Sequence, residues 1–180
     1  MRSFIAIDIP EQIKGKILTV ASAVSDSGIA HTSKEALHIT LQFLGEQDEK
    51  GIEAAKSALA SISAAPFDLS LRGLGFFEPK FIRIIFVNVV SDGNMIGKLY
   101  SDISNALSDA GVAFDKREYV PHVTIMRVKR LQNREALLDF IRANGQYDFG
   151  SFTVNSISLK KSVLTQSGPI YSNIYAKRLE

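Results

Sequence analysis

Two segments of the chain alternate apolar and polar residues in the same way, and each carries a histidine. Across residues 37–45, apolar side chains at odd positions alternate with polar ones that include His38 and Thr40. The pattern returns 84 residues later, where His122 and Thr124 alternate with Val and Ile. A period of two is typical of a half-buried β-strand, so the histidine and threonine of each segment share one face.

The remaining apolar pattern predicts five further strands and four helices. The strands are expected at residues 3–7, 67–71, 81–90, 149–159 and 170–176. Residues suited to helix starts are Pro10, Asp48, Ser91 or Asp92, and Asn133. Residues that indicate helix ends are Gly28, Pro66, Gly111 and Gly145.

Two regions depart from simple alternation. Gly73 and Gly75 are followed by two phenylalanines, and we interpret the segment 73–80 as a turn that could fold over a cleft as a flap. Within residues 149–159 the apolar positions change from even to odd numbers, which predicts a β-bulge in one long strand.

The order of elements is an internal repeat. Strand, helix, histidine strand, helix and strand occur between residues 3 and 71, and again between residues 82 and 159. We therefore expect all 180 residues to form one compact α+β domain of two similar lobes, whose His-Thr pairs meet at one cleft. The lobes and a strand that completes the sheet are predicted at residues 1–75, 80–160 and 169–177.

Composition narrows the class of protein. The 180 residues are 46% hydrophobic, enough for a sizeable core, and they include no cysteine. The lack of cysteine excludes disulfides, a thiolate zinc site and a cysteine nucleophile, and it fits a reducing cytoplasm. No apolar run approaches the ~20 residues of a membrane span, and the first residues do not resemble a secretory signal. A net charge of +2 permits a phosphate-bearing partner without identifying one.

The paired motifs suit acid-base chemistry on a phosphodiester. Histidine titrates near pH 6.5, so one of His38 and His122 can accept a proton while the other donates one. The hydroxyls of Thr40 and Thr124 can bind the non-bridging oxygens of a phosphoryl group whose charge grows in the transition state. This arrangement needs no metal and no cofactor.

Other interpretations of these residues compete with catalysis. A single strand histidine is more often structural, and two histidines alone are a thin ligand set for a metal. His31, the third histidine, is expected on the surface in a loop. Arg127 is a good phosphate ligand, but strict alternation places it on the face opposite His122 unless the strand bends. Phe43 has the apolar parity, which favours a core position over a platform for base stacking.

The motifs resemble those of a known superfamily. His38-Ile39-Thr40-Leu41 before Phe43-Leu44-Gly45, and Pro121-His122-Val123-Thr124-Ile125 before Arg127, are similar to the paired motifs of the two-histidine phosphoesterases. The most similar branch is the RNA 2′,3′-cyclic phosphodiesterases, once called 2′-5′ RNA ligases. The likeness extends to residues 2–7, Pro10 and Ser162, and to residues 168–171, so it spans nearly the whole chain.

The resemblance implies a bilobal α+β fold with two antiparallel-rich sheets, related by pseudo-twofold symmetry around a central cleft, and helices outside. It implies hydrolysis of RNA 2′,3′-cyclic phosphate ends to 2′-phosphomonoesters without a metal. We expect the protein to be a monomer. Carried over by position, His38 and His122 are the acid-base pair, Thr40 and Thr124 hold the phosphate, and Arg127 matches an arginine common after the second motif.

Three other functions remain open from the sequence. The same residues could join tRNA halves through a 2′-5′ linkage, with a 5′-hydroxyl in place of water. A related enzyme could act on a small cyclic nucleotide or a 2′-5′ oligonucleotide, with its choice of substrate made by the loops 73–80 and 164–169. A non-catalytic RNA-binding module is disfavoured, because both His-Thr pairs are intact.

Overall fold

Nine strands and four α-helices form an α+β fold in the computed structural model, which describes residues 1–77, 80–166 and 168–180. The strands are β1 Arg2–Asp8, β2 Ile29–His31, β3 His38–Glu46, β4 Phe67–Phe77, β5 Ile84–Ser91, β6 His122–Val128, β7 Asp148–Val154, β8 Ser156–Thr165 and β9 Gly168–Arg178. The helices are α1 Glu11–Ala21, α2 Glu49–Ala60, α3 Met95–Asp109 and α4 Arg134–Ala143. Two single 3₁₀ turns lie at Lys34–Ala36 and Asp92–Asn94.

The strands are arranged in two antiparallel sheets, as predicted. One has four strands in the order β3-β1-β8-β9, and the other has five in the order β2-β6-β5-β4-β7. Each sheet contains one His-Thr strand, β3 in the first and β6 in the second. Helix α3 contacts a strand of each sheet, β3 and β5, while α1 contacts β6 and β7. Aliphatic side chains from both sheets and the helices form one continuous buried core.

The two sheets exchange strands across the expected boundary between lobes. Strand β4 comes from the first half of the chain, yet it pairs with β5 in the sheet of His122. Strand β8 comes from the second half and pairs with β1 in the sheet of His38. The division of the chain into two lobes at residues 75–80 therefore stays a prediction. Backbone hydrogen bonds join strands from both halves of the chain in each of the two sheets.

The phase change predicted as a bulge in residues 149–159 has a different cause. The chain breaks at Asn155 into β7 and β8, which belong to different sheets. Val154 is buried at the end of β7, and Ile157 is buried near the start of β8. The apolar parity changes because the chain leaves one sheet and enters the other, so the prediction of a single bulged strand was wrong.

Residues 73–77 form the end of a strand rather than the predicted turn. Strand β4 continues through both glycines to Phe77, with a register shift between Leu71 and Leu74. Gly73 has φ of +75°, and a Cβ there would lie 2.2 Å from the carbonyl oxygen of Gly145. Such a conformation and such a close approach require glycine. Residues 78 and 79, the remainder of the proposed flap, lie outside the described residues, as does residue 167 of the turn before β9.

The predicted helix starts are mostly confirmed, and two helix ends are not. Helix α2 ends at Ala60, well before Pro66. The side chains of Asp48 and Asn133 accept hydrogen bonds from the backbone of α2 and α4 at 2.7 and 3.0 Å. Ser91 accepts one from the backbone N–H of Ile96, although Asn94 is the residue that precedes α3. Helix α1 ends at Ala21, before Gly28, because the serines and Asp26 that follow favour turns. Among the described residues, none of the helices has the length and apolar character needed to cross a membrane.

Candidate active site

His38 begins β3, and its ring is held in a corner of aromatic side chains. The rings of Phe4 and Tyr171 lie with centroids 4.9 and 5.2 Å from the imidazole. Nε2 of His38 lies 3.1 Å from Oγ1 of Thr40, and the backbone of Ala36 forms a second hydrogen bond with the ring. A carbonyl can only accept, so the neutral ring donates to Ala36 and keeps Nε2 as an acceptor beside the threonine hydroxyl.

His122 begins β6 in closely similar surroundings. Its ring packs against Phe77 and Phe86, with centroids at 5.0 and 5.3 Å. Nδ1 lies 2.6 Å from the carbonyl oxygen of Val120, so this nitrogen donates and Nε2 is left with its lone pair. The carbonyl that fixes the ring belongs in each case to the residue two positions earlier. Both imidazoles therefore present the same nitrogen for proton transfer.

A bulge follows each threonine at the same position of the motif. The pairing of β1 with β3 leaves Leu41 as an extra residue, and the pairing of β5 with β6 leaves Ile125 as an extra residue. Each extra residue is buried together with its successor, Gln42 or Met126. A bulge reverses the alternation of the strand. The residue five positions after each histidine is thereby turned to the face of the histidine.

These bulges change the interpretation of two residues. Arg127 is exposed, and its charge is close enough to His122 to lower the pKa of that ring, so the bend that the sequence analysis required is present. Phe43 holds the corresponding position on β3 and is 47% exposed, so its assignment to the core was wrong. Its backbone is fixed by a 2.8 Å hydrogen bond from the N–H of Asp115 to its carbonyl oxygen.

The two imidazoles and Arg127 form one electrostatic group. Burial lowers the pKa of His38 to about 4, with a further lowering by the charges of Lys160 and His122. Burial also lowers the pKa of His122, and Arg127 acts in the same direction. At pH 7 these lowered pKa values favour the neutral form of both rings. An anion bound between them would raise both pKa values and favour protonation of one ring.

Lys160 and Asp8 form a charged pair beside His38 that sequence analysis did not find. Nζ of Lys160 lies 2.7 Å from Oδ1 of Asp8 and donates to Oδ1 of Asn173 at 2.7 Å. Ser158 donates to the other carboxylate oxygen of Asp8 at 3.2 Å. Asp8 is paired with His38 across β1 and β3. Lys160 is 8% exposed, and no local signal in a strand marks a lysine as buried.

Replacing Lys160 by methionine is expected to raise the pKa of His38 from about 4 towards the ordinary value near 6.5. The change removes a nearby positive charge and frees the Asp8 carboxylate, and both effects favour the protonated imidazole. An NMR titration of the three histidine rings would measure it. Lys161→Met is the matched control, because Lys161 does not contribute to the pKa of His38. An unchanged or lower pKa in the Lys160 variant would contradict this account.

The structure does not bring His31 into the group described above. His31 ends the short strand β2, where it pairs with Met126 of β6, and its side chain is exposed. It was correctly expected on the surface, although it lies in a strand rather than a loop. Within residues 1–77, 80–166 and 168–180 there is no cluster of three or more His, Cys, Asp or Glu side chains suited to a metal.

Comparison with solved structures defines the class of fold. A crystal structure of TT0787 from Thermus thermophilus matches with a TM-score of 0.80 and 26% identity, covering 99% of this chain and 98% of the other. E. coli LigT in complex with 3′-AMP matches with a TM-score of 0.83 and 20% identity, covering 99% and 97%. The fold is therefore that of LigT.

Comparison of sequences identifies the family. Residues 7–176 match the family described as the AKAP7 2′5′ RNA ligase-like domain, and the chain belongs to this family. A relative from Methanocaldococcus jannaschii, named RNA 2′,3′-cyclic phosphodiesterase, is 39% identical over 97% of this chain and 98% of its own length. A relative of the same name from Thermotoga maritima is 34% identical, with coverage of 100% and 96%.

Proposed function

We propose that the protein hydrolyses RNA ends that carry a 2′,3′-cyclic phosphate and releases a 2′-phosphomonoester, with no metal taking part. The observation that carries this proposal is the pair of imidazoles, each with the lone pair of Nε2 available for proton transfer and each followed by a threonine hydroxyl. The relatives named RNA 2′,3′-cyclic phosphodiesterase support the choice of substrate.

In the proposed mechanism His122 accepts a proton from the attacking water, and His38 donates one to the departing 3′ oxygen. Arg127 supports this assignment because its charge lowers the pKa of His122 and keeps that ring able to accept. Asp8 raises the pKa of His38, while burial and Lys160 lower it, so His38 gains its proton only with the anionic substrate in place. Thr40, Thr124 and Arg127 hold the phosphate oxygens.

The direct test is incubation with a short RNA that ends in a 2′,3′-cyclic phosphate, followed by separation of the 2′- and 3′-phosphate products. A 2′-phosphate product that forms equally well in the presence of a chelator is expected. Formation of a 3′-phosphate, or no turnover, would contradict the proposal. Adding a second RNA with a 5′-hydroxyl to the same reaction tests for 2′-5′ joining, which the same residues could perform with that hydroxyl in place of water.

We predict that Phe43→Ala raises KM for such an RNA by roughly tenfold, because stacking of one base on an aromatic ring contributes ~1–3 kcal/mol. Phe43 is exposed on the face of His38 and Thr40, where a terminal base could reach it. Phe81→Ala is the matched control, since Phe81 is 69% exposed but lies on the connection between β4 and β5. Equal KM values for Phe43→Ala and the wild type would show that Phe43 does not bind the base.

The remaining parts of the proposal concern the substrate range and the setting. Fragments of tRNA and small cyclic nucleotides both carry the cyclic phosphate that the site would bind. Comparing kcat/KM for the two kinds of substrate would show which one the protein prefers. The exposed ring of Phe43 could stack on a single base, so it does not by itself indicate that the substrate is a longer RNA. We further propose that the protein acts as a monomer in the cytoplasm, in keeping with its lack of cysteine.

A further inference from the structure

We propose that the hydroxyl of Tyr171 is a further phosphate-binding group of this site, acting beside His38. The inference rests on the proposed hydrolysis, and it adds a residue that neither paired motif contains. Three observations carry it: the position of the ring, the availability of the hydroxyl and the charges around it.

The ring of Tyr171 is fixed by packing. It lies edge-on to His38 at 5.2 Å with an interplanar angle of 88°, and edge-on to Phe4 at 5.0 Å with an angle of 75°. Phe4 itself contacts His38 at 4.9 Å, so the three rings form one cluster. Edge-to-face contacts of this kind favour a single orientation of the ring. The ring of Tyr171 is therefore held at a defined place next to the imidazole.

The hydroxyl is available to a ligand and remains protonated at neutral pH. Across the described part of the chain, no group forms a hydrogen bond with it, and the side chain is partly exposed. Burial raises the pKa of Tyr171 above its ordinary value, while the charges of Arg127 and Arg2 act in the opposite direction. A protonated phenol can donate a hydrogen bond to an anion.

Tyr171 contacts His38 on one histidine strand and lies within the electrostatic reach of Arg127 on the other. Arg127 belongs to β6 and acts on both His122 and Tyr171, whereas Tyr171 belongs to β9 and contacts His38. A phosphate within reach of both imidazoles would thus have Arg127 and the phenol nearby. His122 contacts two phenylalanines, Phe77 and Phe86, neither of which can donate. The extra donor therefore distinguishes the His38 side of the site from the His122 side.

Tyr171→Phe retains the ring and removes only the hydroxyl. We expect kcat/KM for the cyclic RNA end to fall roughly 10- to 100-fold, the effect of one hydrogen bond to a charged group. The affinity for adenosine 2′-monophosphate should fall by a similar factor. The pKa of His38, followed by NMR, should stay where it is because the ring contact is kept. Tyr175→Phe, on the same strand but packed against the core, should match the wild type in all three measurements.

Each alternative result has a definite meaning. Wild-type kcat/KM and affinity in Tyr171→Phe would overturn the inference, as would an equal loss in Tyr175→Phe. A shift in the pKa of His38 that accompanies the loss would also overturn it, because the hydroxyl would then act through the imidazole. If the wild type hydrolyses no cyclic phosphate, the proposed function fails, and binding of adenosine 2′-monophosphate still tests the role of Tyr171.

Discussion

Replacing either His38 or His122 by alanine is expected to reduce hydrolysis of the cyclic phosphate by about 10²- to 10⁴-fold, the usual contribution of one proton-transfer group. Each imidazole is fixed by a backbone carbonyl and presents Nε2, so each alanine variant loses an oriented proton-transfer group. The measurement is kcat with saturating RNA substrate. In the proposed mechanism the two groups act in one step, so the double variant should have a kcat only slightly below that of the less active single variant.

The third histidine provides the control for this experiment. His31 is exposed at the end of β2, and His31→Ala should retain wild-type turnover. Thermal unfolding of all three variants would separate loss of chemistry from loss of folding. Near wild-type turnover by either His38→Ala or His122→Ala would exclude the two-histidine mechanism.

Replacing Arg127 by alanine is expected to lower kcat by roughly 10²- to 10³-fold, the cost of removing one preorganised donor to developing negative charge. The bulge at Ile125 turns Arg127 towards His122, where its charge already lowers the pKa of the ring. The alanine variant should therefore also raise the pKa of His122. An NMR titration of the free protein and steady-state kinetics would measure the two effects separately.

Two further substitutions sharpen the test of Arg127. Arg127→Lys keeps the positive charge but loses the planar fork that binds two phosphate oxygens. Compared with Arg127→Ala, it should bring the pKa of His122 back close to the wild-type value, while kcat should recover less. Arg130→Ala removes an equally charged and exposed side chain just beyond β6 and should leave both quantities unchanged. Wild-type kcat in Arg127→Ala would show that the arginine has no part in phosphate binding.

Local alternation was sufficient to place the two His-Thr pairs on strands, and the caps at Asp48 and Asn133 were correct because they depend on neighbouring residues alone. The same rule failed for Phe43, since a bulge is decided by pairing with β1. The sequence offers a hint in both motifs, where the adjacent apolar residues Phe43 and Leu44, and Ile125 and Met126, interrupt the period of two.

Residues supplied by distant strands could not be predicted from local patterns. Lys160 and Tyr171 reach His38 because β8 pairs with β1 and β9 pairs with β8, and the first of these pairings joins opposite ends of the chain. The break at Asn155 was misread for the same reason, because the parity of Val154 and Ile157 reflects two different sheets. Such contacts depend on topology, which the repeat of elements along the chain does not determine.

The exchange of strands between the sheets also governs when the His38 site can form during synthesis. Strand β1 leaves the ribosome well before its partner β8 and the strand that carries Tyr171. The nascent chain must therefore keep one edge of β1 unpaired until β8 has been made, and such edges are prone to pair with other chains. Neither half of the repeat holds all the strands of either sheet, so neither half can complete a sheet without the other.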